Sequence, residues 1–277
     1  MLGRRGLTSA GRLLHYTMLV MENKLAIPAA RHRWDVSPKR AAAIQEELRK
    51  YWIGTDRFSR IRTVAGLDAA FVLTRSQALK QSSTRWNSLR AANQAIGCVV
   101  LYSYPEMVEL QRAFAILPLT FPYVPGLLSF REIPVLLAAL AKLKAAPDLL
   151  FCDGQGIAHP RRMGLATHLG IVLNRPTIGC AKSRLIGTHF QPGETKGKWS
   201  PLLDPKNGKE RMGTVLRTRT GVSPIYISQG HRVRLATAIQ LTLSVTDGLR
   251  IPRPTRDADR FAAEIKRRFV LRQLSEK

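Results

Sequence analysis

Short apolar runs alternate with polar connections along this chain, and the runs fall into two periods. Three of them, near 62–73 (RTVAGLDAAFVL), 97–104 (GCVVLYSY) and 112–119 (RAFAILPL), are short and bounded by turn residues, which predicts strands. Their spacing predicts an antiparallel meander, with a long polar connection over 74–96 between the first two. A helix is predicted ahead of them in SPKRAAAIQEELRKYW, where Ser37 can cap and Pro38 suits the first helical position. After the meander, the loop FPYVPG leads into LLSFREIPVLLAALAKL, a helical stretch that either starts at Pro134 or is kinked there. LLFCD reads as a buried strand, GLATHLGIVL as an apolar helix, and RPTIGCAKS as a strand followed by a turn. A polar, Lys- and Gly-rich segment at 192–211 precedes two more strands, MGTVLRTR and PIYIS. Two helices close the chain, VRLATAIQLTLSV and TRDADRFAAEIKRRFVLRQL. The order predicts an α/β fold: a mixed sheet flanked by helices on both faces.

Two of the apolar runs contain a carboxylate. Asp68 sits inside VAGLDAAFVL, and Asp153 ends the run of PDLLFCDGQGIAHP. An acid within a buried strand is costly unless it is paired or binds a cation. In the predicted sheet the first strand and the later parallel strand are central neighbours, so Asp68 and Asp153 meet at one edge of the sheet face. With Glu132 they are candidate ligands for Mg²⁺, which takes hard oxygen donors. A satisfied buried acid, a solvated helix residue and a turn residue remain open readings of Asp68, Glu132 and Asp153 respectively.

The neighbouring motifs point to phosphate chemistry. Gly154 and Gly156 let backbone approach a ligand closely. His159, six residues past Asp153, is a candidate to hydrogen-bond a scissile phosphate or attacking water, or else a structural loop histidine. Lys182, at the end of a predicted strand, can steady a phosphate or leaving oxygen. In Phe121–Gly126, Pro122 and Pro125 bracket Tyr123 and stiffen the loop. A rigid apolar tip of this kind either packs on its own protein or enters a base stack, filling the space left by an extruded base.

Charge narrows the partner. The chain of 277 residues is 45% hydrophobic and carries 44 Lys and Arg against 19 Asp and Glu, a net charge of +25. That excess suits a polyanion, nucleic acid above all. Only six acids lie between Ile61 and Leu185: Asp68, Glu106, Glu109, Glu132, Asp148 and Asp153. The three cysteines, Cys98, Cys152 and Cys180, lie in apolar segments without metal-site spacing and read as core residues of a reduced, cytoplasmic protein. No apolar stretch reaches the roughly 18–20 residues of a membrane span, since Arg131 and Glu132 interrupt the strongest candidate. Residues 1–36 read as a basic leader, poorly ordered or preceding the true start, given Met18 and Met21; 37–277 read as one domain.

Together the stretches VAGLDAAF, PYVPGLLSFRE, PDLLFCDGQGIAHPRRMGLATHLG, RPTIGCAKSRLIG, ISQGHRVRLATAIQL and DGLRIPRPTRDAD resemble one family, endonuclease V, in order from about residue 64 to 260. The resemblance implies a ribonuclease-H-like fold and a Mg²⁺-dependent nuclease, with Mn²⁺ substituting. The substrate it implies is DNA containing deaminated bases, chiefly hypoxanthine. The cut falls on the 3′ side of the lesion and leaves 3′-hydroxyl and 5′-phosphate ends. By resemblance Asp68, Glu132 and Asp153 bind metal, Tyr123 is a wedge, and His159 and Lys182 flank the scissile phosphate. Asp259 lies where the family carries His or Asp, and His231 falls in a family motif as a structural or nucleic-acid-facing residue. Gln155 occupies a variable position. A monomer is expected. Alternatives are an inosine-specific endoribonuclease of the same family, a structure-selective nuclease of the same fold, and a non-enzymatic nucleic-acid-binding protein.

Overall fold

A computed structural model describes residues 32–73 and 92–275 of the chain. The predicted leader as far as residue 31, and positions 74–91 of the polar connection, lie outside the described residues. The described chain opens with α1 (Pro38–Leu48), capped as expected: the Ser37 hydroxyl accepts from the Arg40 amide at 3.3 Å. Then come β1 (Thr63–Val72), β2 (Gln94–Ser103), β3 (Glu109–Pro118), α2 (Ser129–Leu140), β4 (Leu149–Cys152), α3 (Leu165–Leu173) and β5 (Thr177–Ala181). The chain finishes with β6 (Trp199–Leu203), β7 (Arg211–Leu216), β8 (Ile225–His231), α4 (Leu235–Ser244) and α5 (Arg253–Ser275).

The strands form one eight-stranded sheet, in the order β3-β2-β1-β4-β5-β8-β7-β6. The meander is present: β1 pairs antiparallel with β2, and β2 with β3. β4 then lies parallel to β1, and β5 parallel to β4, while β8 returns antiparallel. This is the mixed sheet flanked by helices that the apolar runs predict. β6 was not predicted. It carries Pro201 within a polar stretch, which an edge strand tolerates because one side of its ladder is unused. α2 runs from Ser129 through Pro134, so the helix does not wait for the proline.

Side chains alternate between two cores. Ala65, Leu67, Leu150 and Cys152 pack with α2 and α3; Val64, Leu149, Phe151, Ile178 and Cys180 pack with α4 and α5. Gly66 shows how close α5 comes. A Cβ there would lie 1.9 Å from the Pro254 carbonyl oxygen, so only glycine lets this helix start directly against β1.

Ahead of α1, His32 and Trp34 pack on Phe130 with ring centroids 5.3 Å and 5.7 Å away. Among the described residues, packing on the domain thus already includes His32 and Trp34. All three cysteines are free and buried. Among the described residues no helix is long and apolar enough to cross a membrane.

Candidate active site

The register of the parallel strands assembles the site. Leu67 of β1 pairs with Cys152 of β4, so the next residues, Asp68 and Asp153, sit side by side where the pairing ends. Their positions continue the alternation 64-66-68 and 149-151-153, which puts both on the α5 face. Lys182 continues 178-180-182 one strand further on. Three adjacent strands thus deliver two acids and a lysine to one end of one face, the carboxyl ends of the parallel strands, where α/β sheets bind ligands. Asp259 comes from α5 over that face, and Glu132 from the first turn of α2.

The acids crowd one another. Burial, then the Asp153 and Asp259 charges, push the Asp68 carboxyl up to about 7. Burial and the charges of Asp68 and Asp153 raise Glu132, 8% exposed, well above the carboxylate range. Burial also raises Asp153, opposed by Lys182, whose ammonium lies 2.6 Å from Asp153 and 2.9 Å from Asp259. Burial works against the Lys182 charge, but its two carboxylate partners raise its pKa overall.

Among the described residues no three His, Cys, Asp or Glu side chains converge as a formed metal site. Lys182 supplies the positive charge between the acids. The donor set still fits a hard divalent cation. It is all oxygen, and burial and mutual repulsion disfavour its negative charge in a way that a cation would reverse.

Beside the acids lies a cleft of about 410 Å³. Leu128, Leu165 and Leu185 supply apolar wall, Gly154 supplies bare backbone, and the Tyr123–Gly126 loop forms one rim. That loop is held at one atom. The Gly126 carbonyl accepts from Arg161 Nη2 at 2.8 Å, His159 Nε2 at 3.0 Å and Gln45 Nε2 at 3.2 Å. Gly126 itself has φ +77°, a left-handed conformation that glycine adopts without strain. The Tyr123 ring is half-buried, with the Arg131 guanidinium 5.9 Å from its centre; Pro122 and Pro125 are exposed.

A family model described as Endonuclease V matches residues 46–260. The chain belongs to the endonuclease V family. An endonuclease V from a Nostoc species is 46% identical over 233 residues, covering 84% of this chain and 96% of the relative. The crystal structure of endonuclease V from Streptomyces avermitilis matches with a TM-score of 0.74 at 36% identity, over 89% of this chain and 99% of that one. Endonuclease V of Ciona intestinalis, solved with a 24mer DNA containing an inosine followed by a ribo-adenosine, matches with a TM-score of 0.67. Its identity is 29%, over 83% of this chain and 98% of that one.

The fold brings together Asp68, Glu132, Asp153, Lys182 and Asp259, and sets Tyr123, Pro125, Gly126, Gly154 and His159 around the adjoining cleft. Two open readings fall on the structural side, those of His159 and His231, and one expectation, that of Gly156, needs correction. His159 is 3% exposed, donates from Nε2 to Gly126 and accepts the Arg161 amide at Nδ1. Burial pushes its pKa down to about 4, so the neutral ring braces the loop, which is the structural reading of this histidine. Gly156 lies outside the cleft. A Cβ there would fall 2.0 Å from the Gln229 carbonyl oxygen, so its smallness serves packing against β8. His231 is 2% exposed, accepts the Ile53 amide at Nδ1 and also lies outside the cleft, in the structural role.

Reading the sequence missed three contributors. Gln45 and Arg161 bind the Gly126 carbonyl and each other, Arg161 Nε donating to Gln45 Oε1 at 2.6 Å. The available signal was Gln45 itself, a polar residue on the buried face that Ala41, Ile44 and Leu48 define. Gln155, at the variable position, donates from Nε2 to the Ser183 carbonyl, tying the loop after β4 to the loop after β5. Its Oε1 is buried without a partner among the described residues.

Proposed function

We propose that this endonuclease recognises a deaminated base, chiefly hypoxanthine, in DNA and hydrolyses a phosphodiester on its 3′ side, leaving 3′-hydroxyl and 5′-phosphate ends. The observation that carries the reading is the adjacency of two unlike regions: a crowded carboxylate cluster with its lysine, and an apolar-walled cleft rimmed by a braced aromatic loop. The first suits a charged backbone and the second a flat base.

Asp68, Glu132 and Asp153 would hold Mg²⁺, or Mn²⁺ in its place. When bound, the cation supplies positive charge where negative charge develops on the phosphate. This chain's residues do the rest. Lys182, whose ammonium lies against Asp153 and Asp259, would steady the leaving oxygen. Asp259 retains a contact with that ammonium and keeps it aimed. Tyr123 occupies the space left by the extruded base, while Leu128, Leu165 and the backbone at Gly154 receive the base itself. His159, Arg161 and Gln45 keep the loop in place during insertion. The enzyme acts as a monomer in the cytoplasm.

The test is metal-dependent nicking of an inosine-containing duplex beside an undamaged duplex of the same sequence. Nicking of both alike, or of neither, would end the reading. The ribo-adenosine after the inosine in the Ciona complex favours a second reading, cleavage of inosine-containing RNA. An inosine RNA strand in the same assay decides between them.

A further inference from the structure

Past Lys182 the cleft opens into a second cavity of about 600 Å³, which shares Lys182, Ser183 and Arg184 with it and adds Arg217, Tyr226 and Arg250. Its lining contains one acid, Glu194. Its arginines differ from the acid-paired arginines elsewhere in the fold. Arg162 is neutralised by Asp204 and Glu210, Arg234 by Asp56, and Arg256 by Asp247. Around this cavity the partners are main-chain carbonyls. Arg217 donates to the Pro192, Gly193 and Val222 oxygens. Arg250 donates to Ser223 at 2.9 Å, Pro224 at 3.0 Å and Lys182 at 2.8 Å. A carbonyl fixes a guanidinium without cancelling its charge. Arg184, at the mouth, is exposed and has no ion-pair partner among the described residues.

These are immobilised, uncompensated positive charges beside the carboxylate cluster, on the far side of Lys182 from the base-sized cleft. Such charges cost little further ordering when an anion arrives, and planar guanidinium groups match phosphate oxygens. Arg250 also grips the main chain of Lys182, so one residue joins the cavity to the catalytic end.

We infer that the second cavity holds the sugar–phosphate backbone of the cut strand where it continues 3′ of the scissile bond, with Arg184, Arg217 and Arg250 on its phosphates. The inference rests on the nuclease reading above, which puts the base in the first cleft and the cut at the acids and Lys182, the lysine lining both cavities. It makes the 3′ continuation a binding determinant separate from the lesion.

The test uses the full chain and inosine-containing single strands whose 3′ side extends from one to about five nucleotides past the cut, at fixed 5′ length. Binding is measured in Ca²⁺ over a salt series. Wild type should tighten roughly 3- to 10-fold as the 3′ side lengthens, with a steeper salt dependence, by about 0.7 per added phosphate contact. Arg217→Gln and Arg250→Gln keep a donor for the carbonyls and remove the charge. Each should erase most of the gain from 3′ length and leave the dependence on 5′ length as in wild type. Arg184→Gln, at an exposed position, repeats the test where folding is not at stake. Losses equal for all strands, or a wild type indifferent to 3′ length, would overturn the assignment of the cavity. A wild type that nicks no inosine substrate with Mg²⁺ would instead overturn the function on which the inference rests.

Discussion

The two ends of the cleft are built on opposite principles. At the loop end the groups that brace Gly126 are hydrogen-bonded to one another: one carbonyl takes three donors, and His159 uses both ring nitrogens inside the protein. At the acid end the charges oppose one another, and Asp68, Glu132 and Asp153 all have raised pKa values. A satisfied network makes a rigid surface. A frustrated one stores a preference for a missing counter-charge. The loop is therefore ready before nucleic acid arrives, whereas the acids are completed by what they bind.

The sharpest way to break this comparison is Asp153→Asn, which removes a carboxylate from the acid end alone. Nicking should fall at least about 10³-fold, the scale of a lost electrostatic group, while inosine binding in Ca²⁺ stays close to wild type. Parallel loss of binding and nicking would point to damage to the fold.

The corresponding cut at the loop end is Tyr123→Ala. Loss of a stacking contact costs about 1–3 kcal/mol, and it should appear as poorer discrimination of inosine from undamaged DNA. Nonspecific binding should change less. Arg161→Ala, which removes one of the three donors to Gly126, should move discrimination in the same direction by a smaller factor. If Arg161→Ala leaves discrimination intact, the bracing has no functional weight.

Without metal, the acid end should also be visible in stability. Asp68 has a folded pKa of about 7 against an ordinary 3.8. Between these values the folded state holds a proton that the unfolded chain has released. Stability therefore falls as pH rises through that window, and is fully present below it. In EDTA the melting temperature of wild type relative to Asp68→Asn, which shares the buried histidines and their opposite pH dependence, should drop by on the order of a few degrees between pH 5 and pH 8, and Mg²⁺ should raise wild type more at pH 8. A wild type that gains on Asp68→Asn over this range without metal would contradict the crowding.

The smallest effect expected is at Gln155. Gln155→Met removes the unpartnered Oε1 together with the Ser183 tie. The relief of about 1 kcal/mol from the orphaned acceptor offsets the lost hydrogen bond. Thermal stability should hardly move, and a drop of many degrees would show that the tie between the two loops matters more than its geometry suggests.

The acid end was largely legible in the sequence because a charge inside an apolar strand is anomalous wherever it occurs. Asp68 and Asp153 announce themselves, and the parallel pairing of β1 and β4 follows from the order of the runs. The loop end was only half legible. Proline, tyrosine and glycine mark the loop, but its supports come from Gln45 and Arg161, far apart in sequence and ordinary in type. His159 shows the same limit. Its position beside the acids invites a role on phosphate, and only the fold reveals that both nitrogens are already engaged. The glycines of Asp153–Gly156 divide likewise, one at the cleft wall and one pressed against Gln229.

The three buried cysteines bear on how this enzyme can be watched. Cys98, Cys152 and Cys180 are at most 3% exposed, and burial raises each thiol's pKa, so none offers a reactive thiolate. The native protein is in effect silent to maleimide dyes and spin labels. A single cysteine introduced at exposed Pro122, next to the aromatic tip, would carry the only label without stripping the core of its own thiols. Entry of the loop into a duplex could then be timed directly, on a background that needs no other engineering.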